Sequence, residues 1–88
     1  MSEYLKEARG HKKAIDSLSA SGVTKGHICY SILVGHNVAY HDLMREHYYE
    51  VANDKKYNMH GKQLDWWYKE LQTLAEEVAA SNEQRAQV

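Results

Sequence analysis

A chain of 88 residues with a formal net charge of −1 has room for one domain around one core and excludes a second independent domain. Leu, Ile and Val together number 16 and Phe is absent, but seven Tyr and two Trp supply large apolar bodies, so the chain reads as folded around an aromatic, somewhat polar core. Charge is spread almost evenly, about +2 over residues 1–25, −2 over 26–53 and −1 over 54–88, and no segment is concentrated enough to be built for the phosphate backbone. The single cysteine, Cys29, excludes an internal disulfide and fits a reducing compartment. The longest apolar run, ICYSILVG, falls far short of the roughly 20 residues that cross a bilayer, and MSEYLKEARGHKK is too charged for a secretory signal. A cytoplasmic protein with no membrane contact is expected.

The chain lacks proline, and its turn signals fall at Ser21-Gly22 and around Asn53-Asp54. That leaves three segments of helical period, and the sequence predicts an all-α, three-helix up-down-up bundle with a long central helix, one domain over residues 1–81 and oligomeric. The helices are expected at about 3–20, 24–52 and 58–81, followed by a frayed polar tail, 82–88. In the first, Tyr4, Ala8, His11, Ile15 and Leu18 fall on one stripe, with Ser2 as N-cap. Gly22 suits the left-handed position after the last turn, and Thr24 suits the cap of the second helix.

The second segment is apolar on two sides. At about 100° per residue, Ile28, Cys29, Ile32, Leu33, His36, Ala39, Tyr40, Leu43, Met44, His47 and Val51 fill one broad face with Glu46 and Glu50 at its margin, while Tyr30, Val34, Val38 and Tyr48 lie on the other side among Asn37, His41 and Arg45. A helix of that kind is central in its bundle or shared between subunits, and Gly35 is a candidate break. The third segment carries Leu64, Trp67, Leu71, Leu74 and Val78 at spacings of 3 and 4, a bundle seam that extends backward to His60 and Tyr57.

The stretch SASGVTKGHICYSI locally resembles a helix-turn-helix, with Gly22 in the turn, Val23 after it, Thr24 capping and Ile28 four residues on. It departs from that pattern at Leu18, where such motifs place a small residue before the turn, and at Ser31, where the second helix should turn an aliphatic inward. The resemblance implies DNA contacts from Lys25, His27 and Tyr30. Gly-Val-Thr is equally ordinary chemistry for ending one helix and capping the next.

Four of six histidines, His11, His36, His47 and His60, fall on inward stripes. Folding the three segments up-down-up predicts two polar layers, His11 with His36 and His47 with His60, Cys29 and Glu50 being the nearest thiol and carboxylate. Imidazole pairs on facing helices are raw material for zinc or iron, but no His-x-x-x-His or Glu-x-x-His spacing occurs, so semi-buried structural histidines are expected and no bound cofactor or metal. Such imidazoles titrate near neutrality, which predicts lower stability in mild acid.

No nucleophile with a base, no paired carboxylates beside an apolar cleft and no phosphate loop has usable spacing, so an enzyme is not expected. The aromatic distribution favours binding to a protein. Trp66, Met59 and Tyr49 form one candidate surface for a partner, and Tyr30, Val34, Val38 and Tyr48 on the back of the second helix form a second, suited to a homodimer. Lys55, Lys56, Lys62 and Lys69, interleaved with Tyr57 and Trp66, form a weaker nucleic-acid candidate. The expectation is a small helical interaction module that regulates, links or inhibits larger machines, in the manner of accessory proteins of phages and plasmids. The alternatives are a nucleic-acid-binding regulator and a histidine-based metal protein.

Overall fold

The computed structural model describes the backbone of residues 3–86 and the side chains of residues 3–81. Three helices, α1 (Glu3–Ala20), α2 (Tyr30–Glu50) and α3 (Asp54–Ala86), account for the described secondary structure. The expected cap Ser2 lies outside the described residues.

Two tight chain reversals are built from the same hydrogen-bond pattern. At the end of α1, Val23 N–H donates to the Leu18 carbonyl at 3.1 Å and Gly22 N–H to that of Ser19 at 3.1 Å. This is the Schellman arrangement, with Gly22 at φ 84° and the Val23 side chain folded back into the core beside Leu18. At the end of α2, Asn53 N–H donates to Tyr48 and Ala52 N–H to Tyr49, but here Ala52 occupies the left-handed position at φ 55°. Asn53 then caps α3, its Oδ1 accepting from Lys56 N–H at 3.2 Å. That cap starts α3 at Asp54, four residues before the expected start.

The expected start of α2 at Thr24 is incorrect. His27 N–H donates to the Thr24 carbonyl across a turn that holds Gly26 at φ 96°, a conformation no helix contains. The helix begins only at Tyr30, with Cys29 as an N-cap that makes no side-chain bond. Lys25 and His27 therefore lie outside any helix and Tyr30 is buried, which removes the geometry of a helix-turn-helix. Gly35 does not break α2. The expected end of α3 also moves, because its backbone stays helical to Ala86 through most of the predicted tail.

Both flanking helices pack on α2, and among the described residues α1 and α3 make no close backbone approach to each other. Partners on α2 and α3 run in opposite directions: Tyr30 with Glu70, His41 with His60, Arg45 with Tyr57. At 33 residues, or roughly 50 Å, α3 sets the long axis of a body 54 × 25 × 18 Å. Its seam is covered only where α2 runs beside it. Leu64 is buried and Trp67 packs on the core, whereas Leu71 is 39% and Val78 61% exposed.

The central cluster is Ile15, Val23, Tyr30, Leu33 and Val34. This corrects the orientation of α2. The side carrying Tyr30, Val34, Val38 and Tyr48 faces the other helices together with Leu33 and Met44 from the edge of the expected inward face, whereas Ile32 and Gly35 face out, Ile32 at 52% exposure, and Ile28, in the turn before the helix, is 92% exposed. Both sides of the helix carry apolar residues, so periodicity alone left its rotation open.

Candidate protein-binding surface

On α3, residues 55, 59, 62, 66 and 69 recur at spacings of 4 and 3 and share one face. All five are exposed: Lys55, Met59, Lys62, Trp66 and Lys69. Met59 is 49% and Trp66 52% exposed although both are large and apolar. The Trp66 ring stands edge-on to Trp67, centroids 4.7 Å apart at 85°, and Trp67 packs on the core. The exposed indole is thus held by a buried one, and with Lys62 and Gln63 the two rings line a shallow notch.

Of the nearby acids, Glu70 is occupied elsewhere. Glu70 accepts from the Tyr30 hydroxyl at 2.9 Å and meets Lys25 Nζ at 3.6 Å, whereas exposed Asp65 lines a second notch with Arg45, Tyr57 and Lys62. Burial, then the Glu70 hydrogen bond and charge, pushes the Tyr30 hydroxyl up to about 12, so it remains a donor at neutral pH. Lys56 belongs to a different face, its Nζ lying 5.2 Å from the Tyr48 ring centroid. Of the four lysines expected to act together, the structure sets Lys55, Lys62 and Lys69 on the same face of α3 as Trp66, Lys62 lining its notch, and turns Lys56 toward α2.

The residues expected as a partner surface separate into three groups. Trp66 and Met59 share the α3 face just described. Tyr49, 71% exposed, belongs instead to the α2–α3 hairpin, where its ring centroid lies 5.9 Å from that of Tyr57. Tyr30 and Val34 are core residues, 7% and 0% exposed, Val38 packs on the same cluster and Tyr48 stacks on His60 at 5.5 Å. That set holds the monomer together and presents no free face for a homodimer. Sequence reasoning missed the surface α2 does expose, Ile32 and Gly35 with Asp42, Glu46 and Glu50, flanked by half-buried Ala39 and Leu43; its signal was the acid ladder bordering an apolar stripe.

The histidines pair, with one exchange. His11 and His36 bring their Nδ1 atoms to 2.9 Å as expected. His60 meets His41 at 2.9 Å rather than His47, because the true inward face of α2 carries His41. His47 lies edge-on to Tyr48 with its own Nδ1 buried and unbonded. Each pair needs one Nδ1–H donor and one bare Nδ1 acceptor, so two side chains satisfy each other. Among the described residues, no group of three or more His, Cys, Asp or Glu converges as a metal site, and no helix is long and apolar enough to cross a membrane. Half-buried Cys29 packs beside the central cluster.

Comparison with protein-family models, curated proteins and solved structures finds no match for this chain.

Proposed function

We propose that this protein is a cytoplasmic protein–protein interaction module, with no chemistry of its own, that regulates, links or inhibits a larger assembly by laying the outer face of α3 on a partner's surface. The observation that carries this reading is Trp66, half exposed yet fixed by Trp67, in line with half-exposed Met59. Leaving an indole and a thioether in water gains nothing for the fold, whereas a preordered Trp is the commonest energetic anchor of an interface. Three lysines around it favour a partner surface bearing carboxylates.

The test is affinity enrichment with the wild-type protein and with Trp66→Ala and Met59→Ala, followed by reconstitution with the purified candidate. A stoichiometric partner bound by the wild type and lost by both folded variants supports the reading. A partner that both variants bind undiminished contradicts it.

A second reading, binding of single-stranded nucleic acid, draws on the placement of Lys55, Lys62 and Lys69 on the same face as Trp66. It predicts an association that weakens steeply with salt and needs a stacking base.

A further inference from the structure

The exposed faces of α2 and α3 are complementary to each other. Beyond Tyr30, the outer stripe of α2 is apolar at its start, with Ile32, Gly35, Ala39 and Leu43, and acidic toward its end, with Asp42, Glu46 and Glu50; Lys and Arg are missing from that stripe. Arg45, the one cation of the helix, is turned into the hairpin to donate to the Tyr57 hydroxyl at 3.0 Å. The outer stripe of α3 carries the opposite charge around Met59 and Trp66. Within one molecule the two stripes point away from the α2–α3 contact, so neither can cover the other.

Resting on the reading of the α3 face as an interface, we infer that its occupant is the outer face of α2 of a second copy. The register follows from size and charge. Nothing lies within 4 Å of where a Cβ on Gly35 would stand, and with Gly35 and Ala39 carrying at most a methyl group the outer stripe has its least bulk between Ile32 and Leu43. With Trp66 seated there and the helices antiparallel, Met59 falls on Leu43, Lys62 beside Asp42, and Lys55 between Glu46 and Glu50. The matched stretches have similar lengths, roughly 27 Å from Ile32 to Glu50 and roughly 21 Å from Lys55 to Lys69. Sliding α3 one turn toward the end of α2 would set Met59 between Glu46 and Glu50 and carry Lys55 past the last acid. The contact joins two different surfaces, so each added copy leaves one free α2 face and one free α3 face, and association proceeds to open chains or a closed ring. A single helix pair is a small interface, so the association is weak and depends on protein concentration.

Sedimentation equilibrium of the purified protein over a wide concentration range tests this. The expected result is a mass above that of the monomer that rises with concentration and falls as salt is raised, the association constant dropping by about tenfold between roughly 0.05 and 0.5 M. Two variants each remove one face, Lys55→Gln with Lys62→Gln and Glu46→Gln with Glu50→Gln; all four positions are exposed and the fold is checked by circular dichroism. Each variant alone should be monomeric where the wild type associates, and their mixture should form a one-to-one heterodimer that grows no further. Trp66→Ala and Ile32→Ser give the same pattern through the apolar half of the contact. A monomer at all concentrations overturns the inference while leaving the α3 face open to a different protein. Association that survives in the lysine variant, or a dimer unaffected by salt, overturns it in favour of a symmetric contact elsewhere.

Discussion

The Nδ1 atoms of His41 and His60 lie 2.9 Å apart between α2 and α3, beneath the stacked ring of Tyr48. Burial, and then the charges of His60 and Lys12, push His41 down to about 4, while burial and Lys56 also lower His60. The unfolded chain binds these protons with an ordinary imidazole pKa of about 6.5 and the folded chain resists them, so the unfolded state takes up more protons as the pH falls. Stability is therefore full above pH 6.5 and lost progressively between about 6.5 and 4. The melting temperature should fall between pH 7.5 and 5.5, with His41 alone accounting for about 1 kcal/mol. Equal melting temperatures at the two pH values would show that this pair is not buried in solution.

The two Schellman turns offer a matched experiment in which one backbone conformation is held once by glycine and once by alanine. Ala52→Gly should stabilise the protein by about 0.5–1 kcal/mol, since the left-handed φ strains any residue with a Cβ. Gly22→Ala should destabilise it by about 1 kcal/mol for the same reason, with open space around the added carbon. Denaturant midpoints measure both, and a destabilised Ala52→Gly would contradict the assigned turn.

Val34 has no exposed surface and lies where α2 meets the other helices. Val34→Ala should cost about 2 kcal/mol through lost burial and a residual cavity, and leave the association of the folded protein unchanged. An unchanged denaturation midpoint with altered oligomeric state would return Val34 to a surface role.

Tyr30 ties the start of α2 to the middle of α3 through Glu70, which Lys25 also meets. Tyr30→Phe keeps the ring in the core but removes the hydroxyl donor, and should cost about 1–2 kcal/mol in thermal or chemical denaturation. Trp66→Ala should cost about 1–2 kcal/mol, from the buried half of the ring and its edge-on contact with Trp67, and leave the protein folded.

The three helices were legible from periodicity, and Gly22 as the end of α1 from its chemistry. The start of α2 was not, because Lys25-Gly26 permits either a helix or a turn and only packing decides that Val23 tucks inward and Ile28 stays out. Asn53 as the cap of α3 was readable in principle, since Asn followed by Asp is a helix-start signal. The rotation of α2 was hidden by its two apolar sides, and that one uncertainty exchanged His47 for His41 and sent Tyr30 and Val34 from the surface to the core. His11 with His36 survived because His11 sits on the single stripe of α1 and His36 near the boundary between the two faces of α2. On α3, charge and polarity fall cleanly on one side, so Met59 and Trp66 could be placed outward from spacing alone.

The most direct measurement of the central claim is site-specific photo-crosslinking in the cells that make the protein, with the reactive side chain replacing Trp66 and, as control, exposed Ser17 on α1. If the outer face of α3 is a protein-binding surface, position 66 gives a discrete protein adduct and position 17 does not. No adduct at position 66, an adduct to nucleic acid alone, or the same products from both positions would contradict it.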